Sequence, residues 1–120
     1  MWLSTTGPVD IVGTRYYEVM ATNTTMLLCN KSKSYWSFND EGTRQDREVN
    51  VYDGLFEEGK HYVGFENYDE FMEKLRYYKE HEEERQQIIS QAYDHVIANH
   101  TWAHRAQKFL GTCKEKFNIK

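Results

Sequence analysis

A helical pattern followed by a short apolar run constrains the fold more than any other feature of this chain. Gly13 opens a stretch in which Tyr16, Val19 and Met20 recur at the spacing of one helix face. The run Thr25-Met-Leu-Leu-Cys29 follows, and it is apolar without alternation. Such a run is typical of a parallel strand that is covered on both faces. A helix that leads into a buried parallel strand predicts an α/β fold.

The remaining patterns predict further strands, a long loop and a helical C-terminal tail. We expect strands at 1–4, 24–29 and 61–65, an extended segment at 49–52, a polar loop at 30–50, and helices at 11–22 and 82–99 with others starting at Asn67 and Thr101. Glu70 follows Asn67 at capping-box spacing. Asn23 ends the first helix where Gly or Asn commonly stands. The order of elements predicts an α/β domain with a short parallel sheet.

Apolar residues at helical spacing predict the inner faces of the three later helices. The residues are Phe71, Leu75 and Tyr78 in the first; Ile89, Ala92, Tyr93, Val96 and Ile97 in the second; and Trp102, Ala106, Phe109, Leu110, Cys113 and Phe117 in the third.

Length and composition set the outer bounds. The chain has 120 residues, of which 39% are apolar and 15% aromatic, so it forms one domain at most and should fold. The net charge is −4 and no basic patch is interleaved with aromatic residues, which argues against nucleic acid as a partner. No apolar run is long enough for a transmembrane segment, and no signal peptide is evident. With Cys29 and Cys113 read as buried free thiols, these observations predict a cytoplasmic location.

The start of the first helix carries residues that suit a phosphorylated sugar ligand. Helix N-termini attract phosphate, Arg15 offers a planar fork of donors, and the Glu18 carboxylate can accept hydrogen bonds from a ribose diol. An ordinary alternative remains open, because Arg15 and Glu18 are spaced i,i+3 and could form a surface ion pair. Asp10 could likewise be a simple helix N-cap.

Two other groups of residues predict structure rather than chemistry. His95, His100 and His104 invite a metal-site interpretation, but no Cys or acid converges with them, so we expect no metal site. The acidic run from Glu80 to Arg85 predicts a solvated helix start, because consecutive helical side chains point in different directions. No nucleophile-base arrangement and no Walker-type loop is present, so no catalytic residue can be named.

Several short motifs follow one another along the chain. They are Arg15-x-x-Glu18, Leu55-Phe-Glu-Glu-Gly-Lys60, Asn67-Tyr-Asp-Glu-Phe71, Tyr78-Lys-Glu-His-Glu-Glu-Glu-Arg85 and His100-Thr-Trp-Ala-His-Arg105. In this order and spacing, the chain resembles the C-terminal end of GT-B glycosyltransferases, closest to the spore-maturation-type branch. The resemblance covers nearly all of the chain and is poorest at 30–50. It implies a partial Rossmann-like domain that binds the nucleotide sugar.

The resemblance also implies roles for individual residues. Glu18 would bind the ribose of the donor, Arg15 would face its phosphate, and the N–H groups of Gly13 and Thr14 would cradle that phosphate. Asp10 stands where many retaining members carry an acid near the transferred sugar, although the branch that the chain resembles most does not depend on it.

Further implications concern cofactors and the last helices. No cofactor and no required metal is expected, because enzymes of this fold generally stabilise the leaving diphosphate with helix N-termini and basic side chains. The segment from His100 to Arg105 would pack the last helices together. The chain departs from the family at Asn23, where Gly is usual, and at His61, where an acid is common.

The implied activity is transfer of a sugar from a nucleotide diphosphate donor to an acceptor hydroxyl or amine. A complete GT-B enzyme has two Rossmann-like domains, and 120 residues supply about a third of that. We therefore expect a single partial domain at 1–120 that is inactive alone. Its partners would be the nucleotide sugar and either the missing part of the enzyme or a second copy bound through exposed sheet edges. The alternative is a non-catalytic interaction module that keeps the fold.

Overall fold

The structure is a computed structural model that describes residues 1–6, 12–31, 33–34, 37–38, 44–45 and 49–118. The strands, in chain order, are β1 (Trp2–Ser4), β2 (Leu27–Asn30), β3 (Lys33–Ser34), β4 (Ser37–Phe38), β5 (Arg44–Gln45), β6 (Val49–Asn50) and β7 (Val63–Phe65). The helices are α1 (Thr14–Ala21), α2 (Tyr68–Glu80), α3 (Glu82–Asn99) and α4 (Trp102–Phe117).

A three-stranded parallel sheet in the order β1-β2-β7 organises the fold. Leu28 of β2 lies opposite Leu3 of β1 on one side and Val63 of β7 on the other. The predicted α/β architecture, with a short parallel sheet and a C-terminal helical tail, is confirmed. The stretch predicted as one long loop is different, because it also contains two short antiparallel ladders, β3-β6 and β4-β5.

Both faces of β2 are buried, as its unbroken apolar run predicts. Leu27 and Cys29 belong to a core cluster with residues of α1 and with Ala92 and Val96 of α3, while Met26 and Leu28 belong to a second cluster with Ile88 and Ile89 of α3. Cys29 has no exposed surface, and burial raises the pKa of its thiol. Both cysteines are free, although Cys113 is only half-buried.

Helix α1 is shorter at its start than predicted. Gly13 is its N-cap, in an extended conformation with φ −76° and ψ 168°, so the helix begins at Thr14. Position 11, where the helix was expected to start, lies outside the described residues. The predicted inner face of Tyr16, Val19 and Met20 is buried. Asn23 follows the last turn with a left-handed φ of 54°, which confirms that it replaces the usual glycine there.

The predicted cap of α2 is confirmed, with a displaced second bond. The side chain of Asn67 accepts a hydrogen bond from the Glu70 N–H at 2.9 Å. The Glu70 carboxylate accepts in turn from the N–H of Glu66, at 2.8 Å, instead of from Asn67. The helix start is therefore closed by an acid that reaches one residue further back than the standard motif.

The inner face of α3 is rotated from the predicted one. Ile89, Ala92 and Val96 are buried as expected, but Ile97 is 44% exposed and Ile88 is buried in its place. The i,i+4 series from Ile88 through Ala92 to Val96 faces the core, and this geometry turns position 97 outward. The prediction of Ile97 as a core residue was wrong.

Helix α4 carries an apolar stripe that the described residues leave uncovered. Trp102, Phe109, Leu110 and Phe117 are between 56% and 81% exposed. Thr101 caps the helix as predicted, and its side chain accepts from the His104 N–H. Among the described residues, no helix is both long and apolar enough to cross a membrane.

Ile89 and Ile97 provide a matched test of the α3 face. We expect Ile89→Val to lower the free energy of unfolding by about 0.5–1.5 kcal/mol, because it removes a buried methyl group. Ile97→Val should change it by less than about 0.5 kcal/mol, because the side chain is largely solvated. Urea denaturation of both variants measures the difference, and equal losses would contradict the assigned face.

The left-handed Asn23 gives a second test of the fold. Asn23→Gly should leave stability unchanged or raise it slightly, because glycine adopts positive φ without a Cβ penalty. Asn23→Val should cost about 1–2 kcal/mol, because a β-branched residue is strained in this conformation. Thermal unfolding of the two variants measures the contrast, and a valine variant as stable as the glycine variant would rule out the left-handed cap.

Candidate functional site

The start of α1 lies at the edge of the sheet where ligands bind in α/β proteins. Strand β1 ends at Ser4, and α1 begins at Thr14 with Gly13 as its N-cap.

 Because β1, β2 and β7 are parallel, their carboxyl ends lie at one edge of the sheet, and α1 is the element between the parallel neighbours β1 and β2. Ligands of open α/β sheets bind in the crevice outside this edge. The predicted donor-binding residues at the start of α1, Gly13 and Thr14, therefore stand where the fold favours a site.

A small cavity lies between the first turns of α1 and the start of α4, and we call it the front cavity. Its volume is about 130 Å³. It is lined by Thr14, Tyr17, Glu18, His100, Trp102 and Arg105. Two predicted site residues, Thr14 and Glu18, thus share one cavity with three residues from the end of α3 and the start of α4.

A second cavity, the rear cavity, lies on the other side of Glu18. Its volume is about 320 Å³, and it is lined by Trp2, Arg15, Glu18, Val19, Thr22 and Thr25. The Arg15 guanidinium carbon lies 5.9 Å from the centroid of the Trp2 ring. Thr22 and Thr25 flank the turn into β2, so this cavity extends toward the amino end of the sheet.

The predicted site residues are therefore divided between two cavities that meet at Glu18. Gly13 stands at the N-cap beside Thr14 and is exposed. Within the described part of the chain, no ion pair joins Arg15 to Glu18, so the simple surface pair is not formed there. Asp10 lies outside the described residues.

Arg105 is the charged residue of the front cavity that the sequence did not predict as a site residue. Its Nη2 lies 3.0 Å from His100 Nδ1 and 3.5 Å from the Tyr17 hydroxyl. Its guanidinium carbon lies 5.6 Å from the centroid of the Tyr17 ring. The sequence showed only that His100 and Arg105 flank a helix start. Their approach to Tyr17, more than 80 positions away, depends on how the helices pack.

His100 also belongs to a cluster of three imidazoles. The rings of His61 and His95 stack with centroids 4.1 Å apart, and His95 Nε2 lies 3.1 Å from His100 Nε2. His95 Nε2 is also 2.7 Å from the Leu55 carbonyl oxygen. His104, expected beside His95 and His100, instead bonds to Thr101 with 2.7 Å between Nδ1 and Oγ1.

The cluster is not arranged as a metal centre. In the part of the chain that the structure describes, no group of three or more His, Cys, Asp or Glu residues could hold a metal ion. His61 Nδ1 already accepts a hydrogen bond from the Glu57 N–H at 3.1 Å. The imidazoles therefore serve as packing and hydrogen-bonding groups.

Burial keeps two of these imidazoles neutral near pH 7. It lowers the pKa of His61 from 6.5 to about 4, with further lowering by His95 and Lys60. Burial, His95 and Arg105 lower the pKa of His100 as well. Because a guanidinium can only donate, the neutral His100 ring accepts from Arg105 through Nδ1 and carries its proton on Nε2.

The fold and the position of the front cavity define an α/β protein with a candidate ligand site at the carboxyl edge of a parallel sheet. The chain belongs to the glycosyl transferase-like family, whose model matches residues 3–111. This match includes every residue that lines the front cavity. The predicted resemblance to glycosyltransferases is thereby confirmed for the family, and placement in the spore-maturation-type branch stays a prediction. No curated protein and no solved structure matches the chain.

The histidine cluster predicts a dependence of stability on pH. The folded pKa of His61 is below its ordinary value, so the unfolded chain binds more protons between pH 6.5 and about 4. The contribution of neutral His61 is thus complete above pH 6.5 and is lost as the pH falls toward 4. Urea midpoints at pH 7.5, 6 and 5 should fall steadily, and less steeply in His61→Gln. Equal slopes in the variant and the wild-type chain would contradict this role.

Proposed function

We propose that the chain forms the donor-binding side of a glycosyltransferase, which passes a sugar from a nucleotide diphosphate to an acceptor hydroxyl or amine. Membership of the glycosyl transferase-like family supports a role in glycosyl transfer. The observation that carries the donor site is that Thr14 and Glu18 line one cavity at the carboxyl edge of the sheet. GT-B architecture, the spore-maturation-type branch and a cytoplasmic location are finer parts of the same proposal.

Glu18 is the proposed ribose ligand. It lies one turn beyond Thr14 on α1 and lines both cavities, so its carboxylate is open to a ligand from either side. An ionised carboxylate only accepts hydrogen bonds, and its two oxygens match the two neighbouring hydroxyls of a ribose. Charge-assisted bonds of this kind are about twice as strong as neutral ones.

The start of α1 is the proposed phosphate-binding element. The first N–H groups of a helix have no partner within it, and the helix dipole favours negative charge at that end. Gly13 brings the backbone to this position without a side chain, and an added Cβ would meet no atom within 4 Å. The N–H groups of Gly13 and Thr14 would hold the diphosphate, with Arg15 as a cation beside them. Asp10 keeps its proposed place near the transferred sugar.

This arrangement would favour loss of the diphosphate during sugar transfer. As the bond to the sugar breaks, negative charge grows on the leaving oxygen, and fixed N–H dipoles and guanidinium groups stabilise that charge. The proposed mechanism requires neither a cofactor nor a metal. We propose no catalytic base, and we expect the chain alone to transfer no sugar.

A second candidate function is a non-catalytic interaction module. It is favoured by the open edge of β1, where Met1, Trp2 and Leu3 are between 41% and 51% exposed, and by the uncovered apolar stripe of α4. Exposed strand edges pair readily with another chain. A chain of this kind would bind its partner equally well when Glu18 is replaced.

A titration with UDP, GDP and TDP tests the donor site. Saturable amide NMR shifts at residues 13–18 are expected with at least one of them. Glu18→Ala should weaken that nucleotide roughly tenfold or more, since it removes hydrogen bonds to a charged group. Glu83→Ala is the matched control, because this exposed acid at the start of α3 lies outside both cavities.

The ribose assignment has its own internal control. Removing the 2′-hydroxyl from the bound nucleotide should weaken binding to the wild-type chain but have little further effect in Glu18→Ala. A well-dispersed spectrum that no nucleotide shifts would overturn the donor site and favour the interaction module.

A further inference from the structure

Arg105 is a cationic residue of the front cavity to which the proposed function assigns no role. This inference rests on the proposed function and adds a residue to its donor site. Arg105 lines the same cavity as Thr14 and Glu18, whereas Arg15 lines the rear cavity and lies over Trp2. A ligand that enters beside Thr14 therefore meets Arg105 directly.

Among the described residues, the polar partners of the Arg105 guanidinium are neutral groups. Its partners are His100 Nδ1 at 3.0 Å and the Tyr17 hydroxyl at 3.5 Å. Both contacts are made by Nη2, and no carboxylate pairs with Arg105 among the described residues. Since a guanidinium has five N–H donors, the contacts of one nitrogen leave others for a ligand.

The partners of Arg105 are themselves held in place. Tyr17 packs against Phe56 and His100, with ring centroids 5.1 and 5.3 Å apart. His100 also packs against the ring of His95, with centroids 4.8 Å apart. A guanidinium between such partners loses less freedom when it binds an anion than one on an unrestrained side chain.

The size of the front cavity limits which part of the donor fits there. Cavities that enclose a drug-sized ligand measure roughly 300–1,000 Å³. The front cavity, at about 130 Å³, suits a small anionic group rather than a whole nucleoside. Phosphate is the anionic part of the proposed donor, and the planar fork of an arginine matches two of its oxygens.

We infer that Arg105 contacts the diphosphate of the nucleotide sugar in the front cavity, and that His100 is its positioning residue. Glu18 then lies between the diphosphate in this cavity and the remainder of the donor. Arg15 would approach the phosphate only from the opposite side of Glu18.

A matched pair of arginine variants tests this inference. The probe is whichever of UDP, GDP and TDP binds the wild-type chain, compared with the corresponding nucleoside, which lacks phosphate. Arg105→Gln should weaken the nucleoside diphosphate roughly 10- to 100-fold and leave the nucleoside unchanged. Arg15→Gln should have the smaller effect. The Trp102 indole N–H signal reports binding within the front cavity.

Arg105→Lys provides a second variant that keeps the positive charge but lacks the planar set of N–H donors of the guanidinium. It should weaken the diphosphate less than Arg105→Gln does. Thermal unfolding without ligand shows whether either variant is folded, and a variant that is unfolded is replaced in the comparison by the other.

The outcomes separate this inference from the proposed function. If Arg105→Gln binds the diphosphate like the wild-type chain while Glu18→Ala does not, the role of Arg105 is overturned and the donor site stands. Equal loss of diphosphate and nucleoside in Arg105→Gln would make Arg105 structural and also overturn the inference. If the wild-type chain binds no nucleotide, the donor site fails and the role of Arg105 fails with it.

Discussion

Burial of β2 on both faces is the constraint on which the rest of the structure depends. A strand whose side chains all face apolar surroundings must have helices on both sides of its sheet. Here α1 and the residues Ala92 and Val96 of α3 pack on the face of Leu27 and Cys29, and the residues Ile88 and Ile89 of α3 pack on the face of Met26 and Leu28. This requirement fixes α1 against the sheet and thereby places its first turn at the carboxyl edge. The proposed ligand site follows from the way the strand is buried.

The sequence predicts those parts of the fold that depend on local pattern. Gly13 as an entry to the helix, Asn23 as its left-handed end and Asn67 as the cap of α2 all depend on neighbours within a few positions. The segment at 49–52 was expected to be extended, and β6 lies at its start, but the pairing of the two ladders was missed because each strand has two residues, which is too short for a periodic signal. The error at Ile97 has a similar cause, since two adjacent faces of α3 carry apolar residues and packing selects between them.

In the candidate site, too, the residues that lie close together in the sequence could be predicted and the distant ones could not. Thr14 and Glu18 could be selected from sequence because they share one helix, and the structure brings them to one cavity. Arg105 could not be selected, because its approach to Tyr17 depends on how the end of α3 turns into α4. His61 shows the same limit, since its stacking on His95 joins segments more than 30 positions apart. When the residues of a site come from distant segments, the sequence has no regular spacing between them from which the site could be predicted.

Because His61 stacks on His95, a change at position 61 affects residues that lie far from it in the sequence. His61 does not line the front cavity, yet its ring stacks on His95, which packs against His100, the hydrogen-bond partner of Arg105. An acid at this position would remove the ring that stacks on His95 and leave that side of the cluster without its aromatic partner. The packing of three imidazoles thus makes the placement of Arg105 depend on a residue that contacts neither Arg105 nor the front cavity.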